Sequence, residues 1–250
     1  MKVDIHAQIG DDIPNLIWNA HEIGSAVKAN NSSPCSVCQS ESEEIHFHCS
    51  DIGGCAKKVH HKKLTGKSGG ISGFNFLNDG HLHEASMLSN IKAGLPDGYE
   101  LYIAENTKEG RITLPDFYIV GHLDAIISNG DKSYGIECKS VKQARWKQIK
   151  EEQEIPDEWY GQVQGYMILW EMDRWYIFVK HRETSNVLHP IRIDKDLDYM
   201  AQRLNKLSEI KHKIINNLGQ PNRERKHHKE YECLWCPLGN NIGDGSCWRN

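Results

Sequence analysis

Two short blocks hold the residues best suited to chemistry. Gly121-His122-Leu123-Asp124 is followed by Gly135-Ile136-Glu137-Cys138-Lys139, with Ser128-Asn129-Gly130-Asp131-Lys132 between them. The Asn-Gly pair supplies the positive backbone angles of a tight hairpin. Around it, Tyr118-Ile119-Val120, Ala125-Ile126-Ile127 and Tyr134 with Ile136 have strand character. The expectation is an antiparallel hairpin carrying Asp124 on its first strand, with Glu137 and Lys139 on its second. Side chains alternate across a strand, so Glu137 and Lys139 share one face and Cys138 points to the other. Two carboxylates and an ammonium on one face are costly to bury without compensation. A magnesium or manganese ion between Asp124 and Glu137 would compensate them through the oxygen ligands these ions prefer. Lys139 would then orient a water or steady a phosphate. The residues alone leave a second reading open, a solvated hairpin face with an ordinary salt bridge.

The order of the motifs resembles a known family. Gly-x-x-Asp, a turn and Glu-x-Lys look like the core of the PD-(D/E)xK nuclease superfamily. Gln162-Val163-Gln164-Gly165-Tyr166 matches the Gln-x-x-x-Tyr motif of its RecB-like and lambda-exonuclease-like branches. Upstream, Gly80-His81-Leu82-His83-Glu84 resembles the Gly-x-x-x-His/Glu motif on the first core helix. The resemblance covers about residues 50–250. It implies one or two metal ions held by Asp124, Glu137, the Cys138 backbone carbonyl and either His83 or Glu84. Spacing favours Glu84 and the habit of the iron–sulfur branch favours His83. Adjacent helical residues point about 100° apart, so the two do not serve one ion equally. The resemblance also makes Lys139 catalytic, with Gln162 and Tyr166 one turn apart and facing the site and the DNA.

Eight cysteines in a reducing compartment suggest metal ligands more than disulfides. Cys35, Cys38 and Cys49, with one of His46, His48 or Cys55, offer the ligand supply of a tetrahedral zinc site. Cys55 has a second claim on it. Ser50-Asp51-Ile52-Gly53-Gly54-Cys55-Ala56-Lys57-Lys58 resembles the N-terminal cysteine segment of iron–sulfur RecB-like nucleases, including CRISPR-associated and phage exonucleases. In that group the isolated cysteine joins three near the C-terminus, here Cys233, Cys236 and Cys247. Four thiolates are what a 4Fe-4S cluster requires. The gap from Cys236 to Cys247 is longer than the family's spacing, which leaves room for zinc or for Cys49 in place of Cys55.

Other elements must position these groups. The apolar spacing of Ile13, Leu16, Ile17, Ile23 and Val27 predicts an amphipathic packing helix. Helices are also expected from near Gly80 to Gly94, over 157–172 and over 197–218, with strands at 101–104, 111–114, 175–180 and 187–193. Lys57, Lys58, Lys62, Lys63 and Lys67 form a basic run suited to tracking phosphates. Lys142, Arg145, Lys147 and Lys150 with Trp146 suit backbone contact and base stacking. Both segments also read as solvated helix faces.

The net charge of −4 confines any nucleic-acid site to a local basic patch. No run is apolar enough to span a bilayer and the start lacks a signal peptide's apolar core, so a soluble, cytoplasmic protein is expected. The expected fold is α/β, a central mixed sheet flanked by helices with the two chain ends joined by a cysteine metal cluster. Its parts are an N-terminal helix and cysteine-rich segment over 1–78, a nuclease core over 79–220 and a cysteine segment over 221–250. The expected activity is magnesium- or manganese-dependent hydrolysis of DNA, as an exonuclease on single-stranded ends. The alternatives are a structure-specific or restriction-type endonuclease and an inactive nucleic-acid-binding module.

Overall fold

The computed structural model describes residues 45–65, 73–103, 109–114, 117–221 and 238. The expected helix over 13–27 and the cysteines at 35, 38, 233, 236 and 247 lie outside the described residues. The elements run β1 (His46–His48), α1 (Cys49–Ile52), α2 (Ala56–Thr65), α3 (Gly73–Gly94), β2 (Glu100–Ile103), β3 (Glu109–Thr113), β4 (Tyr118–His122), β5 (Ala125–Ser128) and β6 (Ser133–Val141). They continue with α4 (Gln143–Glu152), α5 (Asp157–Leu169), β7 (Arg174–His181), β8 (Ile191–Asp194) and α6 (Leu197–Ile215). Among the described residues no helix is long and apolar enough to cross a membrane.

The strands form two mixed sheets where the sequence suggested one. The larger has the order β2-β5-β6-β7-β8 and is antiparallel except for the central β6–β7 pair. The smaller has the order β1-β4-β3. The apolar run from Tyr118 to Ile127 is therefore not one hairpin arm. The chain leaves the small sheet after His122, bends at Leu123 and Asp124, and enters the large sheet at Ala125. Asp124 thus sits on the bend ahead of β5 rather than on a strand.

Alternation along β6 sorts the two sides of the large sheet. Ile136 and Cys138 pack with Tyr176 and Phe178 under Met87, Leu88 and Ile91 of α3. Glu137, Lys139 and Val141 face the other way, toward α5, where Val141 joins Trp175, Ile177, Val179, Val163 and Tyr166. Phe47, Cys49, Ile52, Ala56 and Val59 belong to this same α5-side core. The β5–β6 turn is closed by Asn129, whose Oδ1 accepts from the Asp131 and Lys132 amides at 3.2 and 2.9 Å. Gly130 alone carries the positive φ, +88°. Asn129 contributes a side-chain acceptor here, not the left-handed backbone that the Asn-Gly pair suggested.

Two glutamines on α5 divide its duties. Gln164 is fully buried, donating to the Asp194 carbonyl at 2.8 Å and accepting from the Asp196 amide at 2.8 Å. Both ends of its amide are satisfied, so it fastens α5 to the β8–α6 junction. Gln162, two residues earlier, points to the opposite flank of the helix and into the site.

Candidate active site

Asp124, Glu137, Lys139, Gln162 and Tyr166 come together where the Asp124 bend, β6 and α5 meet. Asp124 Oδ2 accepts from the Cys138 amide at 2.7 Å, which pins the bend to the adjacent strand. Glu137 is 2 % exposed, and one of its oxygens is ion-paired with Lys139. Its other oxygen, Oε2, is buried with no hydrogen-bond partner. The Lys139 side chain is 20 % exposed, against 2 % for that of Glu137.

From Lys139 a single hydrogen-bond chain runs back to the bend. Lys139 Nζ donates to Gln162 Oε1 at 2.9 Å, and Gln162 Nε2 donates to Tyr166 Oη at 2.6 Å. Tyr166 Oη in turn donates to the His122 carbonyl at 2.6 Å. With Lys139 able only to donate and the His122 carbonyl only to accept, the network fixes the orientation of the Gln162 amide. The sequence suggested that both motif residues face DNA. Tyr166, 3 % exposed, is instead spent on internal bonds. Close packing sets this geometry. A Cβ at Gly121 would lie 2.7 Å from Cys49 Sγ and Leu169 Cδ1 and 3.0 Å from Tyr166 Cε1, so the glycine of Gly-x-x-Asp lets the tyrosine approach.

Burial and mutual repulsion govern the charges. Burial first, then the carboxylates of Glu137 and Glu84, push the Asp124 carboxyl well above its usual range. Glu84 on α3 is raised by burial and by Glu137, and Glu137 is raised by burial despite the help of Lys139. Burial alone would lower the Lys139 ammonium, but Glu137, Asp124 and Glu84 together raise it. Glu84 is therefore electrostatically part of the cluster from the α3 side, with His81 Nδ1 3.6 Å from its carboxylate.

Among the described residues no three His, Cys, Asp or Glu side chains stand ready to hold a metal ion. Asp124 spends Oδ2 on an amide and Glu137 spends one oxygen on Lys139. The donor chemistry nevertheless fits a hard divalent cation. Three clustered carboxylates hold protons above their ordinary range, and one buried carboxylate oxygen lacks any partner.

Other sequence expectations change with the structure. Cys49 is 1 % exposed in the core, where burial raises its thiol well above the usual value. Its expected zinc partners Cys35 and Cys38 lie outside the described residues. Cys55 lies partly exposed between α1 and α2. Part of the basic run lies on α2 and is ion-paired: Lys58 pairs with Glu158 at 2.9 Å, and Lys62 and Lys63 pair with buried Asp51 at 2.7 and 3.3 Å, while Lys67 lies outside the described residues. Asp51 is held down at about 2; burial opposes this, and Lys62 and Lys63 outweigh it. Trp146, expected to stack on bases, is 8 % exposed with its ring edge-on to His181.

No family model matches the chain, and no curated protein does. Among solved structures, SSO0001 covers 92 % of this chain and 95 % of its own at a TM-score of 0.50 and 16 % identity. The chain shares its fold with SSO0001. It is also similar, at a TM-score of 0.43 and 16 % identity, to a phage-related exonuclease from Haemophilus somnus 129PT, over 70 % of this chain and 96 % of that one. The alkaline exonuclease LHK-Exo from Laribacter hongkongensis matches over 69 % of this chain and 89 % of its own, at a TM-score of 0.42 and 11 % identity.

Proposed function

We propose that this chain is a divalent-metal-dependent nuclease that hydrolyses phosphodiester bonds at single-stranded DNA ends. The observation that carries the reading is the meeting of Asp124, Glu137 and Lys139 at one point, with a buried Glu137 oxygen left without a partner. Asp124, Glu137, Glu84 and the Cys138 backbone carbonyl would hold magnesium or manganese. Glu84 is preferred over His83 because its carboxylate raises Asp124 and is itself raised by Glu137. When bound, such an ion supplies Lewis-acid polarisation of the phosphate and lowers the pKa of a coordinated water.

The chain's own residues do the rest. Lys139, raised by three carboxylates, stays protonated at neutral pH and donates hydrogen bonds to a phosphate oxygen or the attacking water. It is not a general base. Gln162 and Tyr166 are positioning residues, because both act by holding Lys139 and the Asp124 bend in register. Assays with magnesium or manganese on end-labelled linear strands and covalently closed circles test the reading. Nucleotide release from linear strands alone is expected. Cutting of circles would make it an endonuclease, and binding without cleavage of either would leave only an inactive binding module.

Lys139→Met removes the donor and keeps the volume of the stem. Turnover should fall about 100-fold or more, the usual cost of one transition-state donor. Affinity for the strand should stay nearly constant, since the exposed Lys142, Lys147 and Lys150 remain to contact phosphates. Parallel losses in both would make Lys139 a phosphate anchor only.

The same reading assigns a 4Fe-4S cluster to Cys55, Cys233, Cys236 and Cys247. The partly exposed thiol of Cys55 suits a ligand, unlike the buried Cys49 and Cys138. Hydrolysis needs no electron, so the cluster's part is structural, tying the segments that carry its ligands. Anaerobically purified protein should be brown, and Cys55→Ser should bleach it while Cys138→Ser does not. Colourless protein containing stoichiometric zinc would rule the cluster out.

A further inference from the structure

We propose that Trp159 is a stacking platform for the nucleobase next to the phosphate that Lys139 engages; this rests on the nuclease reading. Trp159 lies on α5 one turn before Gln162 and is only partly buried, at the edge of the α5-side core. Lys139 Nζ stands 5.9 Å from the centroid of its ring. The same ammonium is hydrogen-bonded to Gln162 on a side chain that is 20 % exposed, so a phosphate engaged by Lys139 would lie beside the partly exposed indole.

The neighbouring aromatics are already committed. Tyr166 packs against Trp170 and Trp175 with ring centroids 5.6 and 5.2 Å away, and Trp146 is taken by His181. Among the described residues Trp159 makes no ring–ring contact, and its amide bond to the Pro156 carbonyl, 3.0 Å, fixes it in the first turn of α5. A phosphate drawn to Lys139 carries its base one sugar away, which places an unpaired base against the indole. Every base has a π-face, so such a platform tolerates all sequences. It also demands a base freed from its stack, and a duplex interior does not supply one. The platform therefore selects single-stranded or frayed nucleic acid by geometry alone. It takes over the stacking role that the sequence suggested for Trp146.

The test couples the protein ring to the base ring. Single-stranded oligonucleotides carrying one abasic site at successive positions from the cut end are cleaved by the wild type, Trp159→Leu and Trp159→Phe. For the wild type, the abasic site beside the scissile phosphate should lower kcat/KM by about five- to 150-fold, the range of one stacked base. Trp159→Leu should show a similar loss on the intact strand and almost none in addition on the abasic strand. Trp159→Phe should keep most of the wild-type preference. Losses that simply add, or a leucine variant equal to wild type, would overturn the platform. Fluorescence anisotropy with the same oligonucleotides separates this from the nuclease reading. Absent cleavage in magnesium or manganese defeats the nuclease, whereas binding indifferent to the abasic site in every variant defeats the platform.

Discussion

Asp124→Asn is expected to lower metal-dependent cleavage by at least about 1,000-fold, equivalent to about 4 kcal/mol of barrier. DNA affinity should be largely kept, because phosphate contacts come from basic groups. The Asn side chain keeps an acceptor for the Cys138 amide, which Asp124 now satisfies at 2.7 Å, so the bend should survive. The charge state makes this variant informative in a second way. Burial, Glu137 and Glu84 raise the Asp124 carboxyl in the folded state, so the folded protein binds its proton more tightly than the unfolded chain does. Stability of the metal-free protein is then greatest below the ordinary carboxylate range, near about pH 4 as far as this group is concerned. It is lost progressively as pH rises through that range toward the raised values. Asp124→Asn removes this penalty, so at neutral pH the metal-free variant should melt above the metal-free wild type. Adding manganese should reverse the order, because the ion binds deprotonated carboxylates and its stabilisation grows with pH. Near wild-type cleavage by the variant, or equal manganese stabilisation of both proteins, would sink the assignment of Asp124 as a ligand.

The second large effect concerns the scaffold under the site. Gly53→Ala should destabilise the fold by about 3 kcal/mol or more, at the upper end of overpacking costs. A Cβ there would lie 1.8 Å from the Asp157 carbonyl oxygen and 2.8 Å from Glu158 Cα. Across the same crossing, a Cβ at Gly161 would lie 2.3 Å from the Gly53 amide nitrogen. These are backbone atoms, so no side chain can swing aside. Helix α5 would have to lift, taking Gln162 and Tyr166 from Lys139 and the His122 carbonyl. Activity should therefore fall together with stability. Gly80→Ala on α3 is the control, since its added Cβ meets nothing within 4 Å. There the substitution favours the helix. Urea midpoints read the difference, and coincident transitions for the two variants would refute the crossing's role.

The parts of the site that were legible in the sequence are local. Glu137 and Lys139 are two apart on one strand, and Gln162 and Tyr166 are one turn apart on one helix, so periodicity alone pairs them. The Asn129–Gly130 turn marked the β5–β6 hairpin correctly, and the alternation of side-chain faces along β6 followed from it. What the pattern hid depends on partners distant in the chain. The strand-forming residues on either side of Gly121-His122-Leu123-Asp124 read alike, so the sequence did not show that they belong to different sheets. Lys62 and Lys63 look like a free basic face until Asp51, buried on α1, claims both. Cys49 and Trp146 carry reactive or stacking potential as residue types, but each is in the core, and only the three-dimensional packing says so.

The parallel pairing of β6 and β7 has a consequence in time. Two parallel neighbours cannot be joined by a tight turn, and here α4 and α5 form the crossover between them. Glu137 and Lys139 are therefore laid down on β6 before the helix that orients Lys139 exists. During synthesis, a chain emerging only as far as the end of α4 carries both residues but neither Gln162 nor Tyr166. On the nuclease reading proposed above, the site would gain its geometry late, once the crossover has closed and α5 has seated against α1. Unfinished chains would hold the carboxylates without the frame that positions Lys139.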